Sequence, residues 1–350
     1  MNTLKLTGIL LIILIGFNSC SDDDSPEKSK GNYEKGYFIT NEGPFQSGSG
    51  TITFISDEGI ASQNIYKNVN NEDLGNVVQS MSLNKNNTYI IVNNSNKIVV
   101  ANRYTMEKIT EISGNGIQNP RYLVSKNGVG YVSDWGDPFN PNDDFIAVID
   151  LNSNEVTNTI SVGEGPEKMT IKNDKLFINL KGGFGHNNKV AVLNLNNNEL
   201  ENIEVGYVPN SIESDKQGNV WVLCEGKPSW TNDETNGQLY KINTNNLNTT
   251  FYSFDLTDHP KLLNIEDNSI YYNLNGKVYE MNVNSNELPQ NALNGLDGFY
   301  YTMKVEDGEL FGTDAADFNS EGSLKVFNII SGNLVQTFQT GIIPGEIIFQ

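Results

Sequence analysis

Cysteine is nearly absent: Cys20 and Cys224 are the only two in 350 residues. Two thiols cannot build a disulfide framework or a four-cysteine zinc site. Histidine is equally scarce, with His186 and His259 alone, which excludes a multi-histidine metal centre. Cations are outnumbered, 23 Lys and Arg against 43 Asp and Glu, for a net charge of −20. Nucleic-acid binding needs a basic footprint, and so does docking of a folded domain on anionic lipid headgroups. Neither fits this chain. No nucleophile elbow, HExxH motif, EF-hand loop or phosphate-cradling loop occurs. Gly182-Gly183-Phe184-Gly185 is glycine-rich, but it joins two strands and opens no helix. No catalytic residue, bound metal or cofactor is expected. What the chain has in excess is asparagine, 53 residues, and glycine, 32 residues. Both tolerate positive φ and favour turns. With interspersed Val, Ile, Tyr and Phe they indicate many short strands and an all-β fold.

The one long apolar run lies at the start. Residues 1–19 read as a lipoprotein signal peptide: Lys5 gives a positive start, and Leu10 to Ile15 form an apolar stretch too short to span a bilayer. Ser19-Cys20 resembles a lipobox, with Cys20 as the lipidated first residue of the mature protein. Residues 20–35 read as a polar, acidic tether without apolar periodicity. With Cys20 acylated, Cys224 has no partner and is expected to be a small buried hydrophobe.

From residue 36 a phrase recurs: Pro or an equivalent, a short strand, a tight polar turn, a second apolar strand. It reads QNPRYLVSKNGVGYVSD, GEGPEKMTIKNDKLFINL, GYVPNSIESDKQGNVWVL and TDHPKLLNIEDNSIYYNL. Its anchors are Gln79, Pro120, Pro166, Pro209, Pro260, Tyr300 and Pro344, at intervals of 41, 46, 43, 51, 40 and 44 residues. About 44 residues is the period of a four-stranded propeller blade. Residues 36–350 therefore make a single seven-bladed β-propeller. Strands over 36–41, 50–56 and 62–68 lack an inner partner, and the terminal strand over 345–349 lacks followers. Pairing them closes the ring and leaves no open edge.

With the strands of each blade lettered a to d from the channel outwards, the a–b and c–d turns are minimal. The b–c loops carry nearly all the extra length, and long loops concentrate function. Phe45, Trp135, Phe139, Phe184, His186, Trp230 and Phe318 sit in them, with Glu42, Asn94, Asp134, Asn187, Glu225 and Asp314 nearby. Exposed rings are costly unless they cover each other or a ligand. They suggest an aromatic-rimmed bowl for a large, flat, polar-edged molecule. His186 and His259 fall on the same face. As a catalytic pair with a nearby carboxylate they would make the protein a lactonase or lyase, while the loop reading makes each an ordinary hydrogen-bonding residue.

The stretches FITNEGPFQSGSGTI (38–52), LGNVVQSM (74–81), YIIVNNSNKIVV (89–100) and NPRYLVS (119–125), with GFGHNNKVAVLNL and TGIIPGEIIF further on, resemble the YncE-like propeller lipoproteins of Bacteroidota that carry a DUF5074-type domain. The run Asp22-Asp23-Asp24 resembles their surface-export signal. The resemblance implies an outer-membrane, cell-surface lipoprotein that is not an enzyme. It binds a scarce nutrient, cobalamin (vitamin B12) first among the candidates, and delivers it to a TonB-dependent outer-membrane transporter. Alternatives within the architecture are a carbohydrate, siderophore or haem binder, or a protein-interaction platform.

Cys20→Ala is expected to release the protein from the membrane fraction. Replacing Asp22, Asp23 and Asp24 with Ala should leave it anchored but protected from protease added to intact cells. Equal shaving of the triple variant and the wild type would refute the export reading.

Overall fold

The tight turns between strands a and b show how the chain builds its repeat. In the fourth blade Asn173 and Asp174 both hold positive φ, 48° and 57°, the geometry of a two-residue turn whose twist matches the flanking strands. The turn joins Pro166–Lys172 to Lys175–Leu180, and Lys189–Asn194 and Leu200–Glu204 complete the antiparallel sheet. The computed structural model, which describes residues 29–114 and 116–350, repeats this unit around a ring of seven sheets. The signal peptide, Cys20 and the Asp22–Asp24 run lie outside the described residues. The segment read as tether is docked by its end, where Tyr33 N–H donates to Tyr104 O at 3.0 Å and the Tyr33 ring meets Phe54 edge-on.

Alternation sends each strand's side chains to both neighbouring blades. Leu176, Ile178 and Leu180 pack toward blade 3, with Ile146 and Tyr131. Phe177 packs toward blade 5, with Val220, Val222 and Cys224. Each fully buried aliphatic or aromatic side chain contributes about 1.5–3 kcal/mol of transfer free energy, so the seams between blades are the core. Cys224 lies wholly inside one of them. Burial raises its thiol pKa, which makes it the inert hydrophobe expected.

The ring closes as the repeat count required. Pro344–Phe349 becomes the inner strand of blade 1, pairing antiparallel with Gly36–Asn41 through Tyr37↔Phe349, Phe38↔Ile348 and Ile39↔Ile347. Tyr37, Phe311 and Phe349 form a ring cluster with centroids 5.1–5.4 Å apart. Gln350 ties the end to blade 2, accepting from Arg103 Nε at 2.6 Å and donating to Arg103 O at 3.1 Å.

Two local readings are corrected. The outer strand expected over residues 62–68 is only Ala61–Ser62, and Ile65–Asn70 is a short helix. Ile65 and Tyr66 are both buried with Val69 packed beside them, which is one face of a helix and not the alternate set of a strand. Blade 6 is also not four-stranded: it has Lys261–Glu266, Ser269–Leu274 and Lys277–Asn282 and no fourth strand. The chain beyond is a coil containing Pro289, which has no N–H to donate. Leu293 N–H still bonds Val278 O at 2.8 Å, and Leu288 and Leu296 fill the seams on either side.

Deleting residues 343–350 should expose the edge of Gly36–Asn41 and open the Tyr37–Phe311 cluster. The expected loss exceeds about 4 kcal/mol or yields insoluble protein. An unchanged melting temperature of the truncated chain would contradict the closure.

Candidate functional site

The face that holds the b–c loops also holds the mouth of the central channel, built by the first residues of the inner strands. These strands do not pair with one another, so their heads must be satisfied by other groups. A register shift interrupts most of them: between Val78 and Ser80, Pro120 and Leu123, Pro166 and Met169, Pro209 and Ser211, and Lys261 and Asn264. Such bulges unpair backbone groups and re-aim side chains. Hydroxyls at the fifth position of strand b take the freed N–H groups. Ser133 Oγ accepts from Tyr122 N at 3.1 Å, Thr313 Oγ1 from Thr302 N at 2.9 Å, and Thr40 Oγ1 from Glu346 N at 2.9 Å. The carbonyls of the strand-opening prolines are taken by donors of the preceding blade. Asn93 Nδ2 reaches Pro120 O (3.0 Å), Trp135 Nε1 reaches Pro166 O (3.0 Å), Asn210 Nδ2 reaches Pro260 O (3.1 Å) and Thr313 Oγ1 reaches Pro344 O (2.9 Å).

The bulges aim charged side chains into a funnel of about 410 Å³. Arg121, Lys168, Lys181 and Lys261 line it together with Glu42, Glu167, Glu225 and Glu346, four of each sign in a chain of net charge −20. Arg121 donates to Glu167 Oε1 (2.9 Å from Nη2), and its guanidinium lies 4.3 Å from the Trp135 ring. Lys261 meets Glu225 at 2.8 Å, and Tyr301 Oη donates to Glu42 Oε1 at 3.0 Å. Burial pushes the Glu42 and Glu346 carboxyls above their ordinary range. A second cavity of about 200 Å³ continues down the channel past Tyr122, Lys168, Thr302 and Glu346 to Glu213 and Lys304, which pair at 3.5 Å.

Around the mouth stand the aromatic rings of the b–c loops. Phe139 and Trp135 of blade 3 both contact Phe184 of blade 4, with centroids 5.6 and 5.9 Å apart. With Pro138, Pro141 and Glu164 they enclose a cleft of about 200 Å³. His186 of blade 4 faces Trp230 of blade 5 at 5.7 Å, so ring contacts run across three successive blades. Phe318 of blade 7 meets Tyr301 edge-on at 5.9 Å, and Phe45 rises from blade 1. Phe139, Phe184 and Trp230 are 84%, 70% and 74% exposed. Trp135 differs: it is half-buried, held by Arg121 and by its bond to Pro166 O.

The polar residues singled out in the sequence divide. Glu42 and Glu225 line the funnel. Asn187 is structural, its amide donating to Glu164 O at 3.1 Å. Asp314 pairs with Lys325 at 3.2 Å and accepts Ala316 N–H at 3.0 Å. Asn94 sits in a single turn, Asn93–Ser95, whose bridging side chain is that of Asn93. The two histidines have separate partners. His259 is held between Glu225 O (2.9 Å) and Glu234 Oε1 (3.2 Å), and His186 meets the Trp230 ring. Arg121, Glu167, Lys168, Lys261 and Glu346 were missed because within inner strands they read as ordinary polar positions, and Lys181 because it reads as the first residue of a loop. A charged residue one or two places after four of the seven anchors, Pro120, Pro166, Pro260 and Pro344, was the available signal.

Two buried carboxylates brace the blade 3 loop. Asp134 accepts from the N–H groups of Gln118 (2.9 Å), Asn119 (2.8 Å) and Gly136 (2.9 Å). Asp144 accepts from Gly165 N–H at 2.5 Å. Burial pushes both up to about 6, from an ordinary value of 3.8. The folded protein thus holds more protons than the unfolded chain between those values, and stability falls as pH rises through that window. Unfolding by urea should show higher stability at about pH 5 than at about pH 7.5. Asp144→Asn, which keeps an acceptor for Gly165, should gain about 1 kcal/mol at the higher pH. A variant less stable than wild type at the higher pH would contradict this.

Solved structures share the fold at low identity. A functionally unknown protein from Desulfotomaculum acetoxidans DSM 771 aligns with a TM-score of 0.64 and 15% identity, over 90% of this chain and 99% of that one. Hydrazine synthase of Kuenenia stuttgartiensis aligns at 0.57 and 14%, over 85% and 91%. Apo AztD from Citrobacter koseri aligns at 0.52 and 10%, over 89% and 96%. No curated protein matches the chain. The family model described as a domain of unknown function, DUF5074, matches residues 35–339, nearly the whole ring from its first strand to its last outer strand, and the chain therefore belongs to the DUF5074 family.

Proposed function

We propose that the protein is a non-enzymatic capture propeller whose loop face receives a large, flat, polar-edged molecule, with cobalamin as the ligand that its family resemblance favours. In this reading it is held at the outer face of the outer membrane by a lipid on Cys20, and it passes its ligand to a TonB-dependent transporter. The supporting observation is the arc of exposed rings, Phe139, Phe184 and Trp230 with His186, set on three adjacent blades around a polar funnel. Large exposed rings gathered on one side cost solvation unless a partner covers them. A corrin offers broad faces for such rings and an amide edge for Glu42 and neighbouring polar groups. The closed ring of blades loses little conformational entropy on binding.

Calorimetric titration with cyanocobalamin tests the reading, and saturable binding is expected. Trp230→Ala should weaken it by about 2 kcal/mol, as an anchoring ring does, while changing stability by about 1 kcal/mol or less. Trp135→Ala should lower both affinity and stability, because that ring also carries Arg121 and a backbone bond. Asn197→Ala, in a turn on the opposite face, should change neither. Absence of binding would remove cobalamin as the ligand. Global unfolding of the Trp230 variant would show that the ring serves packing.

A further inference from the structure

We infer that the mouth of the central channel is an oxyanion site, in which Lys168 and Lys181 bind a carboxylate or phosphate group. Three of the four acids of the funnel have a donor from the protein within hydrogen-bond distance. Glu167 has Arg121 at 2.9 Å, Glu225 has Lys261 at 2.8 Å, and Glu42 has Tyr301 Oη at 3.0 Å. The cations are not matched in the same way. Among the described residues Lys181 Nζ has no hydrogen-bond acceptor, and Lys168 Nζ meets a carboxylate only at 3.9 Å, that of Glu346. At Lys181 the unmet capacity is donor capacity, and a ligand that completes the site there brings acceptor oxygens.

The position of the two lysines strengthens this. Both belong to blade 4 and line the same funnel. Lys181 directly follows strand Lys175–Leu180, its own N–H fixed to Gly165 O at 2.8 Å. Lys168 lies inside the bulge between Pro166 and Met169. The regular ladder is interrupted there, and the bulge delivers an ammonium to the channel. Arg121 and Lys261 compensate Glu167 and Glu225, Glu42 is taken by the Tyr301 hydroxyl, and Glu346 lies 3.9 Å from Lys168, which leaves Lys181 as the cation of the funnel without a carboxylate partner. An oxyanion bound there makes charge-assisted hydrogen bonds, about twice as strong as neutral ones. In a recess of this size the group is a small anion or the anionic end of a larger molecule whose body covers the aromatic rim.

The test is titration calorimetry of the full-length protein with inorganic phosphate and, separately, with citrate. Saturable binding of at least one is expected, weakening as sodium chloride is raised. Lys181→Gln removes no hydrogen bond or ion pair of the protein, and it should reduce affinity about tenfold. Lys168→Gln should do likewise. Lys216→Gln, an exposed lysine paired with Asp267, should leave binding unchanged. Binding of neither anion at millimolar concentration would overturn the proposal, as would equal affinity in both channel variants. A competition arm with cyanocobalamin separates the sources. Displacement of phosphate by the corrinoid identifies the group as part of the larger ligand, and independent binding identifies a free anion. The anion titration is read without the corrinoid, so it stands or falls apart from the reading of the rim.

Discussion

The inner strands converge on the channel without pairing, and the rest of the molecule is arranged around that constraint. A sheet satisfies its backbone groups laterally, but a blade's inner strand has a neighbour on one side only. The heads of these strands would leave N–H and C=O groups exposed to a channel. Side chains supply the bonds: Asn93, Trp135, Asn210 and Thr313 of the preceding blade donate to the proline carbonyls, and Ser133, Thr313 and Thr40 of the same blade accept from the amides. The ring is thus knitted by polar contacts at its centre and by apolar seams further out. The Trp135 contact belongs to both worlds, since the same ring lies under the Arg121 guanidinium and against Phe184. Blade 4 shows the constraint left unmet: Asn179 occupies the hydroxyl position, is fully buried, and both its amide atoms lack partners.

Charge follows from the same arrangement. Over the whole sequence acids outnumber cations nearly two to one, yet the funnel carries equal numbers. In water the funnel pairs would be worth little. Inside the mouth, with Arg121 and Glu167 largely withdrawn from solvent, each pair is held by the neighbouring blade, and breaking one would strand a charge. The loop face therefore combines two surfaces of different character: an outer rim of rings and an inner polar recess.

Much of the architecture was legible in the chain. Proline anchors at a near-regular interval and the shortness of the a–b turns were enough for blade number, strand register and closure. The reason is physical: proline tolerates the head of a strand, and two-residue turns admit few residues. The misread segments share a cause. Ile65, Lys67 and Val69 alternate as a strand would, but the buried pair Ile65 and Tyr66 belongs to a helical face. The coil after Asn282 keeps leucines at intervals, and only Pro289 and its polar neighbours mark it as unable to form a ladder. The rim was legible because long loops with aromatic residues stand out against minimal turns. The funnel was not, since bulges carry no composition of their own and the funnel brings together residues from all seven blades that lie some forty places apart in sequence.

The composite blade has a temporal meaning as well. Tyr37 pairs with Phe349, so the first strand waits for its partner until the residues of all seven blades have been made. Blades 2 to 7 can nucleate on nearby residues, but the join between the ends is a contact of very high sequence separation, late and slow to form. Until then one edge of the nascent protein stays unpaired and the polypeptide is not topologically locked.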